Sequence, residues 1–73
     1  MQDDYFISQL GKNIKHLRKQ KGLTQMDLSA ICNMDKPNIV RIETGRTNPT
    51  TKTLKIIADA LEVKVGELFS FEE

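Results

Sequence analysis

The sequence predicts an all-α fold of five short helices, and three observations point to it. Apolar residues recur at three- and four-residue spacing along most of the chain, as the buried stripe of an amphipathic helix requires. These stretches are bracketed by residues that start or stop helices: Thr24, Asp35 and Thr50 ahead of them, Gly22, Asn33 and Gly45 behind. No segment shows the apolar–polar alternation of a half-buried strand, and there is no repeat or low-complexity tract. With 73 residues, 38% of them hydrophobic, the chain can enclose one modest core, so residues 1–73 are expected to form a single domain.

The first helix is expected from about Tyr5 to Lys21, with Ile7, Leu10, Ile14 and Leu17 on its buried stripe and Lys12, Lys15 and Lys19 off it. Gly22 follows a cation-rich last turn, where positive charge suits the helix dipole and glycine accepts the left-handed exit. Thr24 then stands as the N-cap of a short second helix, about Gln25 to Cys32, and Asp27 fills the acidic position of a capping box. Leu28 and Ile31 are its expected apolar face. Asn33 suits the positive φ of a tight turn, which Met34 anchors with an apolar side chain.

Asp35 is expected to cap a third helix over about Lys36 to Thr44. Pro37 fits there because the first helical turn leaves its N–H positions without intrahelical partners. Ile39 and Ile42 should face inward, leaving Lys36, Pro37, Val40 and Arg41 outward, and Gly45 ends the helix. Arg46-Thr47-Asn48-Pro49 reads as a turn, after which Thr50 caps a fourth helix carrying Leu54, Ile57, Ala58 and Leu61. A short fifth helix is expected over about Val65 to Ser70, presenting Leu68 and Phe69.

Composition narrows the class of function. No apolar run approaches the roughly 20 residues that cross a bilayer, and the N-terminus MQDDYF is acidic where a secretory signal is basic, so the chain is expected to be cytoplasmic. Cys32 has no second cysteine to pair with, which excludes a disulfide scaffold or a zinc finger built by this chain alone and makes Cys32 a small core residue. No metal or cofactor is expected. An enzyme fails on inventory: the one histidine, His16, lies in a basic helix as an exposed residue, with no Ser-His-Asp set, no glycine loop for phosphate and no metal-ligand spacing.

The net charge of +1 conceals a strong segregation. Between residues 12 and 52 stand Lys12, Lys15, Arg18, Lys19, Lys21, Lys36, Arg41, Arg46 and Lys52 against only Asp27, Asp35 and Glu43. The ends are acidic, through Asp3 and Asp4 at one and Asp59, Glu62, Glu67, Glu72 and Glu73 at the other, where only Lys55 and Lys64 oppose them. Two short helices joined by a tight turn, the second exposing polar and basic groups near its start, have the geometry that enters a major groove.

At this point the pattern becomes specific. The stretches Leu23-Thr24-Gln25-x-Asp27-Leu28, Met34-x-x-x-x-Ile39-x-Arg41-Ile42-Glu43-x-Gly45-x-x-x-Pro49 and Leu54-x-x-Ile57-Ala58-x-Ala60-Leu61-x-Val63 resemble the phage-repressor and Cro-type (Xre-like) helix-turn-helix family. The resemblance covers about residues 10–69. It implies a lambda-repressor-like five-helix domain, with the helix-turn-helix at the second and third helices, that binds double-stranded DNA and regulates transcription. The same fold can also serve as a protein-interaction module or antitoxin.

Carried over residue by residue, the resemblance places base reading on Lys36, Pro37, Asn38 and Arg41. Arg41 and Lys36 are matched to the O6 and N7 of guanine. Pro37 departs from the polar residue common there and offers only apolar contact, which leaves the operator open. Gln25 falls at the first turn of the second helix, where amide groups meet a phosphate. Thr44, Arg46, Thr47 and Asn48 match a loop that follows the sugar-phosphate backbone, with Lys52 near enough to join it. Arg18 and Glu43 are expected to pair, tying the first helix to the end of the recognition helix. A stand-alone Cro-like repressor or restriction-modification controller is implied, without a ligand-sensing domain. It would act as a homodimer on a pseudo-palindromic operator, with Leu68, Phe69 and Phe71 as the expected seam.

Overall fold

The computed structural model describes the backbone of residues 2–71 and the side chains of residues 4–71; of the acidic ends, the side chain of Asp3 and both Glu72 and Glu73 lie outside the described residues. Four α-helices and one 3-10 helix are present, and no strand occurs among the described residues: α1 (Gln2–Gln20), α2 (Gln25–Cys32), α3 (Lys36–Glu43), α4 (Thr51–Leu61) and the 3-10 helix Val65–Phe69. The side chains of Ile14, Leu28, Ile39, Ile57, Leu61 and Leu68 are fully buried where these elements meet. The α3 helix packs on α1 and α2, α4 packs on α2, and the 3-10 helix closes the core against α1 and α4.

The start of α2 is closed by both arms of its capping box. The Asp27 N–H donates to the Thr24 hydroxyl at 3.0 Å, and the Thr24 N–H donates to the Asp27 carboxylate at 2.9 Å. Its buried face differs from expectation. Ile31 is 55% exposed, and the stripe instead runs through Leu28, Ser29 and Cys32, because at about 100° per residue Ile31 falls on the flank away from these three. Burying Ser29 strands no donor, since its hydroxyl donates to the Met26 carbonyl at 2.8 Å. Burial pushes the Cys32 thiol above its ordinary pKa.

The start of α3 works differently. Asp35 is the N-cap residue, but its carboxylate accepts no capping hydrogen bond. Pro37 removes one of the N–H groups a cap would satisfy, and the Asn38 N–H turns to the backbone carbonyl of Asp35 at 3.0 Å. At the other end Thr44 is the cap rather than the last helical residue, its hydroxyl donating to the Val40 carbonyl at 2.8 Å.

The expected fifth α-helix is a single 3-10 turn of five residues. It contains Gly66, a poor helix former, and its last carbonyls are taken by another element. The Asn13 side-chain amide of α1 donates to the carbonyls of Glu67 at 3.0 Å and Leu68 at 2.8 Å. A short segment held from the side in this way has no need to complete an α-helical turn.

Candidate nucleic-acid interface

The α2–α3 turn is set by Asn33, which adopts the left-handed conformation at φ 55°, ψ 45°. The N–H groups of Asn33 and Met34 donate back to Ala30 and Ser29, and Met34 packs half-buried against the core. This turn holds α3 with Ile39, Ile42 and Glu43 inward. Lys36, Pro37, Arg41 and Thr44 stand exposed on the opposite side, with Val40 half-buried between them. Asn38 is half-buried on the flank of that face rather than at its centre.

Beyond α3 the loop keeps Arg46 and Asn48 exposed and Thr47 half-buried, and Lys52 is exposed in the first turn of α4. Ion pairing divides the molecule's cations. Lys21 pairs with Glu62, and Lys55 with Asp59 at 2.6 Å. Among the described residues, Lys36, Arg41, Arg46 and Lys52 have no carboxylate within ion-pair distance, and neither do Lys12, Lys15 and Lys19 on α1. The cations around the outer side of α3 are therefore unpaired among the described residues, which suits a surface for a polyanion.

The inner side of the same helix is fixed by a buried ion pair. Arg18 and Glu43 are 5% and 4% exposed; the Arg18 Nε donates to Glu43 Oε2 at 2.7 Å and Nη2 to Oε1 at 3.0 Å. The guanidinium also donates from Nη1 to the Leu23 carbonyl at 2.8 Å. Gln25 joins this network, its Nε2 donating to Glu43 Oε1 at 3.1 Å. In the sequence alone, Gln25 and the ion pair stand as separate features.

Two glycines bring the helices this close, and only Gly45 was singled out from the sequence, as a helix stop. A Cβ on Gly11, in the middle of α1, would sit 2.7 Å from the Glu43 carbonyl oxygen and closer still to that of Ile42. Gly45 has φ 73°, and a Cβ there would meet the Ser8 Cα at 2.8 Å. The available signal for Gly11 was its presence mid-helix, where glycine is unfavourable by about 1 kcal/mol relative to alanine and so implies a packing reason.

The family model for helix-turn-helix proteins matches residues 14–68, from the last two turns of α1 through to Leu68. This chain belongs to the helix-turn-helix family, of the phage-repressor and Cro type. It is 41% identical over 59 residues to an uncharacterised helix-turn-helix transcriptional regulator, y4dJ, of Sinorhizobium fredii, covering 81% of this chain and 77% of that one. It is 35% identical over 63 residues to the immunity repressor of Bacillus phage phi105, covering 86% of this chain. The chain spans 44% of the length of that phage repressor. The restriction-modification controller protein C.AhdI of Aeromonas hydrophila has a similar structure, with a TM-score of 0.84 at 28% identity over 86% of this chain and 96% of that one.

In helix-turn-helix terms α3 is the second helix of the motif, and the expected seam residues lie on the 3-10 helix and just after it. That expectation needs one correction: Leu68 is fully buried in the core of its own chain and has no surface to give a partner. Phe69 is 37% exposed and stacks on Phe6 with ring centroids 5.9 Å apart. Phe71, half-buried, leans on the same ring at 5.4 Å. Phe6 was missed from the sequence because it stands one residue ahead of the stripe expected from Ile7 onward, and its ring partners lie at the far end of the chain.

Proposed function

We propose that residues 1–73 form one domain of a non-enzymatic, cytoplasmic regulator of transcription that binds double-stranded DNA sequence-specifically, of the Cro-like repressor or restriction-modification controller kind. The observation that carries this reading is the outer face of α3, where exposed Lys36 and Arg41 flank Pro37 without a carboxylate partner among the described residues. An arginine fork there can take the O6 and N7 of guanine, and Lys36 can donate to the same kind of edge. Pro37 offers apolar contact, such as to a thymine methyl, and Asn38, from its flank position, reaches backbone or base edge.

Gln25, Thr44, Arg46, Thr47, Asn48 and Lys52 take the phosphates on either side of the groove and set register rather than sequence. Two copies joined through Phe69 and Phe71 would place two recognition helices about one helical turn, roughly 34 Å, apart on a pseudo-palindrome.

Selection of bound sites from a random duplex library tests this directly. The expected product is a pseudo-palindrome with guanine in each half-site, and Arg41→Ala should lose about 1–3 kcal/mol of binding concentrated at one base position. Binding that shows no preference over random duplex at moderate salt sinks the reading.

A further inference from the structure

Building on the proposed phosphate contact of Gln25, we infer that buried Glu43 is a positioning residue for DNA binding: it orients the Gln25 amide, so that the phosphate contact of α2 depends on the ion pair beneath α3. Glu43 in its ion pair is an acceptor only, so the atom of Gln25 that faces Oε1 at 3.1 Å must be the amide nitrogen and not the amide oxygen. An unrestrained glutamine presents either end to a neighbour. A phosphate accepts from N–H and is repelled by a carbonyl oxygen. Engaging one N–H of Nε2 with Glu43 fixes the amide plane and leaves the second N–H of the same nitrogen as a donor without a partner among the described residues.

The charge arrangement serves the same end. A lone carboxylate one hydrogen bond behind a phosphate contact would repel the DNA. Here both Glu43 oxygens are met by Arg18, at 2.7 and 3.0 Å, so the anion behind Gln25 is neutralised. The third arm of Arg18, on the Leu23 carbonyl at 2.8 Å, holds the residue just ahead of the α2 N-cap. One network therefore joins α1, the start of α2 and the end of α3. It fixes where the phosphate-facing amide sits relative to the base-facing side chains of α3.

A double-mutant cycle tests this on the selected operator. Arg18→Met with Glu43→Leu removes both charges together, which buried ion pairs often tolerate when apolar groups of similar volume replace them. Affinity is measured by fluorescence anisotropy at several salt concentrations for the wild type, Gln25→Ala, the Arg18→Met/Glu43→Leu variant and the triple variant. In the wild-type background Gln25→Ala should weaken binding about tenfold, as loss of a hydrogen bond to a charged group does. In the charge-free background it should weaken it less than about twofold. The salt slope should be the same with and without Gln25, because a neutral amide releases no counterion.

Equal losses in the two backgrounds, or no loss in the wild type, overturn the inference. A wild type without operator preference overturns the DNA-binding reading instead, so the two failures are distinguishable. If the charge-free variant does not fold, nitrogen-15 relaxation of the Gln25 side-chain amide in the free wild-type protein decides. A held amide has an order parameter near the rigid-backbone value of about 0.85, whereas fast, independent motion of that NH2 group, with an order parameter below about 0.6, overturns the positioning role.

Discussion

The two ends of α1 meet the rest of the molecule in opposite ways. Its middle and C-terminal part meets α3 through a glycine and a buried ion pair, to which the Leu23 carbonyl and the Gln25 amide are also hydrogen-bonded, and no buried side-chain polar atom is left unpartnered among the described residues. Its N-terminal part meets the 3-10 helix through aromatic rings, and there apolar surface is left over: Tyr5 is 51% exposed and Phe69 37%. The first junction has two hard constraints, backbone contact and charge pairing, and both fail steeply when altered. The second rests on soft, partly exposed packing that tolerates change and suits a surface shared with a second copy.

The largest break in this contrast should come from removing half of the buried pair. Glu43→Ala or Arg18→Ala strands a charge in the interior and should cost about 3–5 kcal/mol. At about 4–8 °C per kcal/mol for a domain of this size, the midpoint of thermal unfolding should fall by tens of degrees. Arg18→Met/Glu43→Leu should cost far less than either single change. Circular dichroism during heating checks all three, and a single variant within a few degrees of wild type would remove the claim that this junction is held by charge.

Next in size is Gly11→Ala. Alanine gains about 1 kcal/mol of helix propensity over glycine, while its Cβ drives into backbone oxygens of α3 that cannot swing aside as a side chain would. Overpacking of this kind costs about 1–3 kcal/mol, and the contact with rigid backbone places Gly11→Ala at the upper end of that range. A net loss of about 2 kcal/mol by urea unfolding is expected; a stabilised variant would show that α1 and α3 can part without penalty.

The contrast also explains what could be read in advance. Helix positions and the core were legible because they depend on local periodicity and caps: Leu10, Ile14, Leu28, Ile39, Ile57 and Leu61 all lie where spacing placed them. The outward display of Lys36, Pro37 and Arg41 followed from the same periodicity on α3. Ile31 and Leu68 were misplaced because short elements have too few residues to define a stripe, so tertiary neighbours decide which flank is covered. Gly11, Asn13 and the Gln25–Glu43 bond were not legible, since each acts on a partner far along the chain and no local pattern announces that partner.

At the aromatic end the expected effect on the monomer is smaller and the effect on assembly larger. Phe69→Ala gives up a stack worth about 0.5–1.5 kcal/mol beyond burial on a side chain already partly in water, so the fold should lose about 1 kcal/mol. If Phe69 and Phe71 form the seam, sedimentation should show dimerisation weakened at least tenfold, with operator affinity falling alongside it. A wild type that stays monomeric at tens of micromolar and on DNA would remove the proposed seam.

The smallest effect concerns the two helix starts of the helix-turn-helix itself, one closed by its side chains and one left open. At α2 the Thr24 N–H and hydroxyl hold the Asp27 carboxylate below the ordinary aspartate value of 3.8. A folded-state pKa below the unfolded one means the charged form is favoured by folding. The contribution is therefore fully present above the ordinary value and is lost as pH falls through the folded one. The stability gap between wild type and Asp27→Ala should accordingly be constant near neutral pH and narrow below about pH 4. Asp35 caps α3 without a side-chain hydrogen bond, so Asp35→Asn should leave stability within about 0.5 kcal/mol. Urea unfolding across the pH range checks both, and an Asp27 gap that widens on acidification would show that its carboxylate opposes the fold rather than closing α2.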